Sequence, residues 1–81
     1  MNFDVQVNVM LKPGIADPQG LAVERALPAL GYEGVDGVRI GKRIELKVDA
    51  PTNDEARAMV LEMCERLLAN PVIETYEVNI P

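Results

Sequence analysis

Phe3, Val5, Val7, Val9 and Leu11 alternate with Asp4, Gln6, Asn8 and Met10 over nine unbroken residues. Successive side chains of a strand point to opposite faces, so this period of two predicts a strand with one apolar and one polar face. Such a strand is unstable alone in water. It requires strand neighbours and an amphipathic cover for its valine face from the rest of the chain.

The following segments offer both. Lys12-Pro13-Gly14 breaks the strand. Asp17 suits a helix N-cap, where its carboxylate accepts an orphan N–H, and Pro18 suits the first helical position. Leu21, Val23, Ala26, Leu27 and Leu30 recur at helical spacing, and Gly31 is a natural stop. A helix is expected over 18–30, with Pro28 loosening its last turn. Val38-Arg39-Ile40 and Ile44–Val48 alternate again, around Gly41-Lys42. A three-residue turn at 41–43 would pair Ile40 with Ile44 and Val38 with Leu46, placing every apolar residue on one face, so a hairpin in that register is expected.

Thr52 and Glu55 have capping-box spacing. Behind them Ala56, Met59, Val60, Met63, Cys64, Leu67 and Leu68 form one apolar stripe, with Glu62 and Arg66 paired on the wet side. Asn70-Pro71 stops that helix. Val72, Tyr76, Val78 and Ile80 then alternate with Ile73, Thr75, Glu77 and Asn79 in a last strand. The order is βαββαβ. It predicts an α+β two-layer sandwich of ferredoxin-like type, an antiparallel sheet with two helices on one face, as a single domain over 1–81. The other sheet face would carry Asp4, Gln6, Asn8, Met10, Arg39, Arg43, Glu45, Lys47, Thr75, Glu77 and Asn79, so self-association is expected through strand edges or loops rather than through a greasy face.

Composition narrows the function. With 81 residues the core is marginal without help. Cys64 is the only cysteine and there is no histidine, which excludes an internal disulfide and a Cys/His zinc site. Histidine is also the commonest general base, and Thr52 and Thr75 are the only aliphatic hydroxyls. No nucleophile has a base beside it. A net charge of −5 disfavours nucleic-acid and anionic-membrane binding. The alternating N-terminal segment is not a signal peptide, no apolar run reaches membrane length, and one thiol fits a cytoplasmic setting. An RNA-recognition sheet would need exposed aromatics, yet Phe3 and Tyr76 are phased with the core.

Charge is uneven. Arg39, Lys42, Arg43 and Lys47 against the single acid Glu45 leave a local +3, while the remaining four cations and twelve acids leave −8. The basic stretch reads either as a docking patch for an acidic partner or as a solvated strand that resists edge aggregation. Cys64, Met59 and Met63 read as core. A stand-alone regulatory domain of ACT type, binding a small molecule, is compatible with the pattern.

Five segments then stand out in order: Leu11-Lys12-Pro13-Gly14, Asp17-Pro18-Gln19-Gly20, Leu30-Gly31-Tyr32, Val38-Arg39-Ile40-Gly41-Lys42 and Ala69-Asn70-Pro71-Val72-Ile73-Glu74. Together they resemble the PurS family, the small subunit of phosphoribosylformylglycinamidine (FGAM) synthase of purine biosynthesis. Pro28 departs from the family's usual pattern. The resemblance implies a non-catalytic subunit of a ligase complex. A synthetase subunit (PurL) converts the formylglycinamide ribonucleotide to the formylglycinamidine, using ATP and magnesium, and a glutaminase subunit (PurQ) supplies ammonia. The small subunit would bridge the two and assist ammonia transfer, associating as a dimer or dimer of dimers, with no catalytic residue, cofactor or metal of its own. On that resemblance Arg39, Lys42 and Arg43 are the first interface candidates, and Asp17 and Gln19 in the Asp17–Gly20 turn the second.

Overall fold

The computed structural model describes residues 1–81. Strand β1 (Asn2–Leu11) lies at the centre of a three-stranded antiparallel sheet, between β2 (Gly41–Asp49) and β3 (Glu74–Asn79). Helix α1 (Pro18–Ala26) runs on as a 3-10 turn over Leu27–Leu30, and helix α2 (Asn53–Met63) ends in a π turn over Cys64–Leu68. No helix is long and apolar enough to cross a membrane.

The alternation in β1 works as expected. Val5, Val7 and Val9 are at most 1% exposed, beneath the fully buried Ala56 and Val60 of α2 and Cys64 of the π turn. Val48, Ala50, Ala69 and Val78 complete this core, and Phe3, Ile44, Leu46, Met63, Leu68, Tyr76 and Ile80 flank it. Each fully buried valine contributes roughly 1.5–3 kcal/mol over its exposed state. The other face is open. Across it Asp4 stands opposite Lys47, Gln6 opposite both Glu45 and Asn79, and Asn8 opposite both Arg43 and Glu77.

The α+β class stands, but two strand expectations are corrected. No hairpin exists at 41–43. Gly41, Lys42 and Arg43 pair with Met10, Val9 and Asn8, and β2 runs straight to Asp49. The physical reason is that a straight strand also puts Val38, Ile40, Ile44, Leu46 and Val48 on one face. No turn was needed to align them, and the length of β1 offers backbone partners as far as Gly41. Residues 38–40 therefore extend β2 rather than forming a separate strand within this chain. The last strand begins at Glu74, because Asn70 turns the chain first: its carbonyl accepts from the N–H of Ile73 and Glu74, and its side chain accepts from Val72.

The helices share the covering role unequally. Only Gly20 of α1 is buried, while Leu21, Val23 and Leu30 stay 43%, 41% and 71% exposed. Helix α1 stands at the end of the sheet beside residues 38–40, and the molecule extends 51 × 25 × 14 Å with a radius of gyration of 16.3 Å. A compact chain of this length would have about 12 Å. Pro28 acts as its chemistry requires: the α-helix ends before it, and Gly31 closes the 3-10 turn at φ 94°.

In α2 Thr52 accepts the Glu55 N–H at 3.2 Å, and Arg66 pairs with Glu62 at 3.2 Å. The π turn was not legible in the apolar stripe. The Ala69 N–H reaches back five residues to the Cys64 carbonyl. That extra residue advances the helix face, so Ala69 is buried and Leu67 is 83% exposed.

Gly20 is required by space. A Cβ there would run into the Val38 carbonyl oxygen and crowd the Asp17 carboxylate. Gly20→Ala should therefore cost about 1–3 kcal/mol and lift α1 from residues 38–40. Chemical denaturation checks the first effect and hydrogen exchange over 15–40 the second, while exchange in β1 should stay unchanged.

Candidate partner-binding surfaces

The sequence-predicted interface residues separate into three places. Asp17 and Arg39 form the junction between α1 and the sheet. One Asp17 oxygen caps α1 by accepting from Gly20 N–H at 2.9 Å, and the other accepts from Ile40 N–H at 2.8 Å. The Arg39 guanidinium donates to the Leu11 and Lys12 carbonyls at 2.7 and 3.2 Å and lies 3.5 Å from Asp17. Glu24 accepts the Val38 N–H at 3.3 Å. The carboxylates of α1 thus take the place of β1 beside the 38–40 extension, where β1 itself has ended.

Lys42 faces the α2 side, opposite Val9. With Gln19, Pro18, Glu74, Leu11 and Ile40 it lines a shallow cleft of about 270 Å³ between α1 and the sheet end. Arg43 points the other way, onto the open polar face, where it pairs with Glu45 at 2.8 Å with both side chains more than half exposed. So the structure brings Lys42 to Gln19, holds Arg39 on Asp17, and leaves Arg43 apart from both. The run of basic residues is not one continuous patch, because alternate residues of a strand face opposite ways.

A further surface had little sequence signal. Met59, Met63, Leu67 and Leu68 line a groove along α2 and its π turn, flanked by Glu62 and Arg66. The apolar stripe named these residues as core. The π turn rotates Leu67 outward, while Met59, in the regular part of α2, is itself 41% exposed, and Met63 and Leu68 flank the core.

Three groups titrate away from their ordinary values. Hydrogen bonds from Gly20 and Ile40, and then the Arg39 charge, hold the Asp17 carboxyl below its usual 3.8, against a burial that works the other way. Tyr76 donates to Glu65 at 2.5 Å, tying β3 to the π turn. That hydrogen bond, then burial, then the charges of Glu65 and Cys64, push its phenol up to about 12. Burial, and then Glu65, raise the Cys64 thiol, which keeps it protonated and inert at neutral pH.

With this geometry in view, comparison with known proteins identifies the family. Residues 4–81 match PurS, phosphoribosylformylglycinamidine (FGAM) synthase. The chain belongs to the PurS family. The PurS subunit of Synechocystis is 47% identical over 93% of this chain and 75% of its own length, and that of Bacillus subtilis is 46% identical over 96% and 92%. A chain in the structure of PurLQS from Thermotoga maritima is 36% identical, with a TM-score of 0.91 over 100% of this chain and 99% of that one. As a PurS-family protein the chain is a subunit type of a ligase and not a self-standing regulatory domain. The motifs that carried the resemblance fall at the α1 junction, the end of the 3-10 turn, the cleft rim and the turn after α2.

The two titrations give opposite pH windows. Asp17 is depressed, so its contribution is present above pH 3.8 and is lost as pH falls through its lower folded value. Asp17→Asn should melt lower than the parent at pH 7, and the gap should close below about pH 4. Tyr76 is raised, so its contribution is complete below pH 10 and is lost as pH climbs toward 12. Tyr76→Phe should be the less stable protein at pH 8 and equal to the parent at the alkaline limit. Melting temperature as a function of pH checks both.

Proposed function

We propose that this chain is the non-catalytic accessory subunit of a glutamine-dependent FGAM synthase, bridging the synthetase (PurL) and glutaminase (PurQ) subunits and assisting ammonia transfer between them. The observation that carries the reading is the near-complete overlap with a chain of PurLQS, a relative whose name joins three subunits. The chain's own chemistry agrees. Its single thiol is protonated and buried, and its open surfaces are strand edges, a mixed-charge sheet face and shallow clefts. Such surfaces suit protein partners. ATP, magnesium and the catalytic thiol are assigned to the other chains. The benefit of a bridging subunit is proximity: ammonia handed directly between two sites avoids dilution and protonation in solvent.

The elongated shape and exposed apolar residues of α1 support self-association as a dimer or dimer of dimers. A chain whose helix leaves Leu21, Val23 and Leu30 exposed gains by covering them with a neighbour. Among the interface residues, Lys42 and Gln19 are assigned to partner contact at the cleft, and Arg43 to contact from the open face. Asp17 and Arg39 act by positioning α1.

Reconstitution tests the reading. Synthetase and glutaminase mixed with this chain should turn over glutamine, and omission of the chain should remove most of that activity while activity with added ammonium salt persists. Lys42→Glu should weaken capture of the partners at least about tenfold with an unchanged circular dichroism spectrum. Equal glutamine-dependent rates with and without the chain would overturn the assignment.

A further inference from the structure

In several places side chains take up backbone groups that the ladders leave over. Arg57 of α2 donates to the outward carbonyl of Val78 in β3 at 2.8 Å, Arg39 donates to the Leu11 and Lys12 carbonyls, and Asn70 accepts from Val72 N–H. The loop 33–37 shows none of this. It is tied down only at its two ends, where Tyr32 N–H donates to the Leu27 carbonyl and Val38 N–H to Glu24. Between them no backbone group makes a hydrogen bond and no side chain joins an ion pair. All five residues are exposed, Gly34 and Gly37 have positive φ of 82° and 69°, and a Cβ added at Gly37 would meet nothing within 4 Å. Within this loop Asp36 is followed by Gly37.

We infer that Asp36 is a modification site, at which the main chain rearranges spontaneously from aspartate to isoaspartate. The Gly37 nitrogen attacks the side-chain carboxyl carbon of Asp36. A carbon–nitrogen bond forms, and the carboxyl hydroxyl leaves with the amide proton as water, closing a five-membered succinimide. Water then adds to one of the two ring carbonyls. Opening at the side-chain carbonyl restores aspartate. Opening at the backbone carbonyl leaves the main chain running through the former side chain. One water is lost and one regained, so no oxidant, reductant or cofactor enters and the mass is unchanged. Glycine favours the ring because it has no Cβ to shield its nitrogen and its backbone turns freely. The product carries one more main-chain carbon just ahead of Val38, and a free α-carboxylate. That carboxylate is the chemical group that a methyl-transferring repair enzyme would take as its substrate.

Each of the other aspartates is denied this step by its surroundings. Asp17 precedes Pro18, which has no N–H, and its two oxygens are held by Gly20 and Ile40. After Asp49, the Ala50 N–H donates to the Met1 carbonyl at 2.9 Å. After Asp54, the Glu55 N–H donates to Thr52 at 3.2 Å. After Asp4, the Val5 N–H points into the ladder toward Leu46. In all of these the next nitrogen is absent or fixed in place. Only at Asp36 are the carboxyl and the following N–H both free.

Ageing the intact protein in warm, mildly acid buffer tests the site, with the neutral carboxyl as the better electrophile. Isoaspartate is read by isoaspartyl methyltransferase with labelled S-adenosylmethionine, and placed by digestion with trypsin, which releases Asp36 in the peptide 26–39. Label should accumulate in that peptide and be absent from Asp36→Glu, whose longer side chain would have to close a six-membered ring. Because the loop is unheld, the folded chain should react within about tenfold of the rate in urea, where the chain is unfolded. Absence of label from 26–39, or label there in Asp36→Glu, overturns the site. A folded rate more than about tenfold below the unfolded one overturns the structural argument, since the loop would then keep Gly37 from the carboxyl.

Discussion

The structure hangs on the burial of three valines in one central strand. Val5, Val7 and Val9 are sealed between two neighbouring strands and α2, and nothing else in the chain is as fully enclosed apart from residues that touch them. A core made of valine, alanine and one cysteine is thin. It supports a helix laid across one face and little more, so everything at the far end of the sheet is held by other means. There the chain uses charge-assisted hydrogen bonds: the Asp17 carboxylate gathers a helix N-terminus and an extended backbone, and Arg39 clamps two carbonyls that β1 leaves behind. The molecule is thus a packed end and a hydrogen-bonded end joined by long strands.

That division explains what could be read from the residues and what could not. The β1 alternation, the Thr52 cap, the Asp17 cap, the Pro28 break and the polar sheet face all follow from local rules, and each is present. The hairpin at 41–43 failed because a glycine beside a lysine signals a turn only when no long partner strand is waiting, and Val9 and Met10 were waiting. The π turn failed because a stripe of spacing three and four does not show where one residue is skipped; Leu67 looked like core until the count slipped past it. The apolar spacing of α1 was real, but its counterpart is not within the chain.

The candidate surfaces show the same pattern. Arg39, Lys42 and Arg43 were grouped because they are neighbours in sequence, and a strand scatters neighbours to opposite sides. Gln19 and Lys42, far apart in sequence, share a cleft because Asp17 fastens α1 to the start of β2. Family membership then gives these surfaces a purpose: a subunit of a synthase contributes by the geometry it presents, and its α1 junction, its cleft and its open face are what it has to present.

The Arg57 side chain on the outer carbonyl of β3 has a wider consequence. A sheet that can be extended on both sides grows by repetition, one copy calling for the next, and ends as a fibre. One arginine, laid over an outer acceptor of β3, therefore makes that border harder for another strand to join, and helps a small chain rich in valine avoid becoming a seed for aggregation.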